Sequence, residues 1–202
     1  MPILVAYGSK RRGTEGLAHM VGDALRHEGF TVEVALARTV RSVGDYDAVI
    51  VGGALYAARW HKDARRFVRR YVHDLRRRPV YLFSSGPLDD SATEKEIPPV
   101  KGVKKLMGDI GARGHVTFGG RLAPDAKGMP ASAMARKNPG DWRDARHVRT
   151  WVHDRLRPHF AWLLEVPQAC SQVEDDRRRA TCVGRTALEV SDRARVGPEQ
   201  SS

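Results

Sequence analysis

The chain reads as an α/β protein, a doubly wound five-stranded parallel sheet with helices on both faces. Three observations carry this reading: short apolar, β-branched runs recur along the chain, helical patterns alternate with them, and three of the runs end in loops of small and polar residues. Strand and helix in alternation imply a mainly parallel sheet. Loops at the carboxyl ends of its strands are where such a sheet takes its ligand.

The first run, Ile3-Leu4-Val5-Ala6-Tyr7, stops in Gly8-Ser9-Lys10-Arg11-Arg12-Gly13-Thr14-Glu15. A helical pattern follows at once, with Leu17, Met20, Val21, Ala24 and Leu25 on one face and Gly29 where the helix would end. The free N–H groups of that helix's first turn, together with the positive end of its dipole, welcome an anion, most often a phosphate. Ser9 and Thr14 bring hydroxyls, Gly13 removes a side chain from the approach, and Lys10, Arg11 and Arg12 add positive charge. These six residues are the candidate phosphate cradle.

The second strand is Thr31 to Leu36, and the third is Ala48-Val49-Ile50-Val51, continuously apolar as a strand covered on both faces should be. The third ends in Gly52-Gly53-Ala54-Leu55-Tyr56. A helix is expected from Trp60 to about Arg78. Ala64, Phe67, Val68, Tyr71, Val72 and Leu75 form its apolar stripe, and Arg65, Arg66, Arg69, Arg70, Arg76 and Arg77 line its other side. Pro79 stops it. Val80-Tyr81-Leu82-Phe83 makes a fourth strand that ends in Ser84-Ser85-Gly86-Pro87-Leu88. A short helix near Val100 to Ile110 leads to the fifth strand, His115 to Phe118. Beyond a loop to Gly140, Asp141 with Asp144 resembles a capping box for a last helix, Trp142 to Leu156.

Other phosphate-binding and acidic-site patterns fail at particular residues. Gly8 and Gly13 have the spacing of a Walker loop, but Thr14 stands where its lysine is required. The G-x-G-x-x-G dinucleotide fingerprint is absent. A response-regulator receiver needs acidic residues after its first and third strands, where this chain has Tyr7-Gly8 and Gly52-Gly53.

Residues 1 to about 158 resemble a flavodoxin-like FMN domain, more narrowly the menaquinone-dependent protoporphyrinogen IX dehydrogenase type. The resemblance is carried by Tyr7-Gly8-Ser9-Lys10 with Thr14, Val51 to Tyr56 with Trp60-His61, Phe83 to Leu88, Phe118-Gly119-Gly120-Arg121-Leu122 and Asp141-Trp142. It implies that Ser9 to Thr14 hold the FMN phosphate. It assigns Gly53, Ala54, Leu55 and Tyr56 to one side of the isoalloxazine and Ser84, Ser85, Gly86, Pro87 and Leu88 to the other. Small residues let backbone amides reach the ring's polar edge, and Tyr56 or Trp60 offers a flat apolar face. Trp60 reads equally well as a core residue at a helix start, and His61 as a solvent-exposed helix residue. Two departures stand out: the family's loop glycine has moved from the position of Arg12 to Gly13, and the segment Ala123 to Gly140 is neither long nor apolar. Porphyrin chemistry therefore stays open.

A chain of 202 residues accommodates one domain, 1–158, and an extension, 159–202. The extension begins with Phe160, Trp162, Leu163 and Leu164, expected to dock on the domain, and turns polar toward a tail expected to be mobile. No apolar segment approaches membrane-span length, and Pro2 leads straight into the first strand, so a cytoplasmic protein is expected. Cys170 and Cys182 match no common zinc spacing, and no metal is expected. No nucleophile, base or carboxylate pair gathers at the loops, which leaves the chemistry to the cofactor.

The expectation is thus an FMN-dependent oxidoreductase that relays electrons to a quinone-like or small organic acceptor. With 35 Lys+Arg against 24 Asp+Glu, it carries a net charge of +11. That sign favours peripheral contact with an anionic membrane or an acidic protein. The arginines of the long helix alternate with no aromatics, which argues against single-stranded nucleic acid. The alternative is a non-catalytic module of the same fold that binds an acidic partner or nucleic acid through its basic surface.

Overall fold

The computed structural model describes residues 2–9, 13–124, 135 and 139–165. Lys10, Arg11 and Arg12, most of the segment before Gly140, and the tail with Cys170 and Cys182 lie outside these residues. Two compact units divide the chain, Met1–Leu164 and Glu165–Ser202, and every element below belongs to the first.

The parallel sheet is built from β1 (Pro2–Gly8), β2 (Thr31–Leu36), β3 (Ala48–Tyr56), β5 (Val80–Ser85) and β6 (Gly114–Phe118), in the order β2-β1-β3-β5-β6. A two-residue strand, β4 (Arg59–Trp60), pairs antiparallel with the end of β3. The order reverses at β1, which has β2 on one side and β3 on the other, in a register that sets Gly8 opposite Gly53. The crevice beyond these strand ends is the topological switch point.

Alternation along the strands makes two cores. Ile3, Val5, Ile50, Tyr81 and Phe83 pack under α1 (Gly13–His27) and the C-terminal helix, α6 (Ala145–Trp151). Leu4, Ala6, Val49, Val51, Val80 and Leu82 face α2 (Lys62–Arg70), α3 (Val72–Leu75) and α5 (Lys101–Ile110). The short α4 (Ser91–Glu94) precedes α5. Each of these strand residues is buried, as a sheet covered on both faces requires.

Three expected elements differ. The helix from Trp60 to Arg78 is two helices. Trp60 is held in β4 against Leu55, so α2 starts only after His61, whose ring accepts from the Asp63 N–H at 3.4 Å. It breaks at Tyr71, where the phenol donates to the Val40 carbonyl at 2.9 Å. The third strand runs on past Val51 to Tyr56, because a two-residue turn folds it back onto β4.

The last helix begins at Ala145 rather than Trp142. Asp144 is its cap, accepting from the Arg146 N–H at 2.7 Å, while Asp141 pairs with Arg121 in the small antiparallel ladder of β7 (Arg121–Leu122) and β8 (Gly140–Asp141). After Trp151 the backbone widens into a π turn, Val152–Leu156, and continues through a short α7 (Arg157–Phe160). Phe160 is fully buried, edge-on to Phe30 and Tyr81.

Candidate functional site

At the carboxyl edge of the sheet four loops enclose a cavity of about 420 Å³, within the size range of small-molecule sites. The β1–α1 junction contributes Ser9, Gly13 and Thr14, and the β3–β4 hairpin Ala54, Leu55, Tyr56 and Ala57. The β5 loop adds Ser85, Gly86 and Leu88, and the segment after β6 adds Gly120, Arg121 and Leu122.

The amino end of α1 forms one wall. The Ser9 and Thr14 hydroxyls are buried without a hydrogen-bond partner among the described residues, and Thr14 is only 1% exposed. Leaving a buried hydroxyl unpaired costs roughly 1–3 kcal/mol, so two beside one helix end need an explanation. An anion at this helix end would pair both hydroxyls, and the first-turn N–H groups of a helix are left without intrahelical partners to join them.

Beside this junction stands Arg121, the charged side chain lining the cavity among the described residues; a Cβ on Gly13 would meet its backbone oxygen at 3.5 Å. Its Nε lies 3.8 Å from the Asp141 carboxylate. That carboxylate is already gripped by Arg143, through Nε at 2.7 Å and through a shorter contact from its terminal nitrogen. The grip of Arg143 holds the Asp141 carboxyl below its usual range. Arg121 has a loose partner and a half-exposed guanidinium beside the cavity.

The hairpin forms the opposite lip. Ala57 and Ala58 both have positive φ, 46° and 56°, as a type I′ turn requires. Neither is glycine, so the turn stores about 1–2 kcal/mol at each position. Tyr56, 36% exposed, presents its ring at this lip and meets His61 at 6.2 Å between centroids.

Several expected residues stand behind the wall. Trp60 is 2% exposed and lies against Gly53, where a Cβ would meet the indole ring at 2.6 Å. Its Nε1 donates to Ser84 Oγ at 2.8 Å, and Ser84 Oγ is 2.8 Å from His115 Nε2. Burial pushes His115 down to about 4, so the ring is neutral at neutral pH. Trp60 is therefore a core residue and not a stacking face, Gly53 is small to admit it, and Ser84 is its acceptor. Pro87 does not line this cavity; its carbonyl receives the Gly120 N–H at 2.7 Å. At Gly120 a Cβ would meet the Gly86 carbonyl oxygen at 3.0 Å, so the two loops close backbone against backbone. His61 is a half-buried helix cap, not a solvent-exposed helix residue.

Ala57, Gly120, Arg121 and Leu122 were not among the expected site residues. The one signal for the last three was the Gly119-Gly120-Arg121-Leu122 stretch at the end of the fifth strand, the same kind of position that marked the other loops.

The flavodoxin domain family matches residues 4–126. The chain belongs to that family. Curated proteins give no match. Among solved structures, a flavodoxin from the domain Archaea is 14% identical, with 76% of this chain and 99% of that one covered and a TM-score of 0.48. Megasphaera elsdenii flavodoxin is 19% identical, with 57% and 84% covered and a TM-score of 0.47. The rubredoxin oxygen:oxidoreductase of Desulfovibrio gigas is 15% identical, with 74% of this chain covered and a TM-score of 0.46; the flavodoxin-domain chain spans only 36% of that protein. FMN is the cofactor of flavodoxin domains. The residues here fit it: two unpaired buried hydroxyls at a helix amino end suit a phosphate, and a largely apolar cavity suits a flat heterocycle.

Proposed function

We propose that this flavodoxin-domain protein is an FMN-dependent oxidoreductase that relays electrons between a reductant and a quinone-like or small organic acceptor. The observation that carries the reading is the pair of unpartnered buried hydroxyls, Ser9 and Thr14, at the head of α1 on the wall of an open cavity. Bound FMN would supply the electron chemistry by being reversibly reduced.

The chain's own residues hold and shelter the cofactor. Ser9, Thr14 and the backbone at Gly13 receive the phosphate, and the resemblance adds Lys10, Arg11 and Arg12. Arg121, packed beside Gly13, would offset negative charge there. Ala54, Leu55 and Tyr56 would hold the ring from one side of the cavity and Ser85, Gly86 and Leu88 from the other. Oxidation of a porphyrinogen is the donor reaction that the motif resemblance suggests.

Anaerobic reduction of the FMN-loaded protein, followed by mixing with a soluble quinone, tests the reading. Reoxidation that is faster than that of free reduced FMN is expected. A protein that stays folded yet takes up no FMN would favour the second reading, a binding module that acts through its basic surface.

A further inference from the structure

We propose that α2 and α5 together form a basic plate that docks the protein on anionic lipid headgroups. The two helices pack against each other on one face of the sheet, with Val68 of α2 and Leu106 of α5 in the same core. Their buried stripes, Ala64, Phe67 and Val68 on α2 and Val103, Leu106 and Ile110 on α5, point at the strands. At 100° per residue the opposite side of α2 carries Lys62, Arg66 and Arg69, and the opposite side of α5 carries Lys101, Lys104 and Lys105. All six are exposed. Arg70, Arg76 and Arg77 are exposed too, and Arg76, at the end of α3, donates from its Nε to the Asp109 carbonyl of α5 at 2.7 Å.

Acidic relief is small. Asp109 pairs with Lys105 at 3.4 Å in an exposed contact within one helix, of the kind worth little. Asp63 faces His61 at 3.8 Å, and Asp74 sits half-buried on α3. Gly102 and Gly108 on the same helix have open space where a Cβ would stand, among the described residues.

The chemistry selects lipid over a protein partner. A protein interface needs an apolar centre, and the exposed large hydrophobics among the described residues, Tyr56, Trp162 and Leu164, all lie off the plate. A fluid headgroup layer needs no such centre, and clusters of four to eight cations on one surface are what it recognises. No helix among the described residues is long and apolar enough to cross a membrane, so the contact is electrostatic and peripheral. The plate holds no residue of the FMN cradle. The hairpin lip at Tyr56 leads directly into α2, so docking would bring the cavity's rim to the edge of the headgroup layer.

The full-length protein is sedimented with vesicles of equal parts phosphatidylserine and phosphatidylcholine, with vesicles of phosphatidylcholine alone, and with duplex DNA in competition, at low and high salt. Flavin content is read separately from the visible spectrum, so loss of docking and loss of FMN are distinguished. Binding to the anionic vesicles alone, released by salt, is expected. Lys101→Gln, Lys104→Gln and Lys105→Gln together should weaken it about tenfold or more. Arg66→Gln with Arg69→Gln should weaken it too, and carries the test if the triple variant fails to fold. Arg146→Gln with Arg149→Gln, exposed on α6 over the opposite face of the sheet, should leave it unchanged. Equal binding to neutral vesicles, no binding to either, equal loss in the α6 pair, or preference for DNA overturns the proposal.

Discussion

Trp60 Nε1 donates a 2.8 Å hydrogen bond to Ser84 Oγ, tying β4 to β5 behind the cavity wall. Both side chains are buried, at 2% and 1% exposure, so neither can find water if the other is removed. Ser84→Ala should therefore cost about 1–3 kcal/mol in urea denaturation, by stranding the indole N–H and the His115 ring. FMN affinity should change far less than stability, because Ser84 does not line the cavity. Loss of FMN binding with unchanged stability would return Ser84 and Trp60 to the site.

The two unpaired hydroxyls make phosphate recognition measurable. Purified apoprotein should bind FMN more tightly than riboflavin. Thr14→Val should weaken FMN by about tenfold or more while sparing riboflavin, since a hydrogen bond to a charged group is worth about 1.5–3 kcal/mol. Equal affinity for the two flavins in the wild-type protein would refute the cradle.

Arg121 is expected to bear on the redox potential. No carboxylate lines the cavity among the described residues, and the guanidinium on its wall would favour the anionic reduced flavin. A reduction potential above that of flavodoxins that surround the ring with acidic residues is expected, and Arg121→Gln should lower it. A spectroelectrochemical titration in which the variant and the wild type coincide would remove Arg121 from this role.

His115 links stability to pH. Burial lowers its folded pKa from 6.5 to about 4, so as pH falls the unfolded chain takes up the proton first. Its contribution is complete above the ordinary value and is lost between 6.5 and about 4. The loss should amount to about 3 kcal/mol across that window. Burial moves His147 in the same direction, so His115→Gln should flatten the pH dependence of urea denaturation only in part. An unchanged profile in the variant would locate the titration elsewhere.

The strained lip offers a stabilising change. Ala58, at φ 56°, occupies the second position of the type I′ turn, where glycine is preferred. Ala58→Gly should raise thermal stability by about 0.5–1 kcal/mol, the relief of strain being partly offset by entropy gained in the unfolded chain. A loss of stability would mean that the alanine methyl contributes packing that outweighs the strain.

Much of the cavity lining was legible because its signals are local. Gly13 and Thr14 at the head of a helix, Ala54 to Tyr56 after one strand and Ser85, Gly86 and Leu88 after another are marked by small residues that interrupt apolar runs. Trp60 was not so legible. An aromatic residue beside a glycine loop reads equally as a ring platform or as core, and the decision rests with Ser84, twenty-four positions away. Arg121 was missed because its position in the cavity depends on a pairing with Asp141 across a segment of unpatterned sequence. The basic plate was half visible: the arginines of α2 stand out by spacing, but nothing local says that the lysines of α5 lie beside them.

The sequence by itself determined the alternation of strand and helix, the anion-ready head of α1 and the placing of three loops at strand ends. Each of these follows from periodicity, capping or backbone freedom within a dozen residues. Only the tertiary structure decided the break of the long helix at Tyr71, the burial of Trp60, the arrival of Arg121 in the cavity wall and the union of α2 with α5. Those outcomes depend on hydrogen-bond partners and packing surfaces from distant parts of the chain, such as the Val40 carbonyl under Tyr71, and the free energy that selects them exists only once the sheet has brought the partners together.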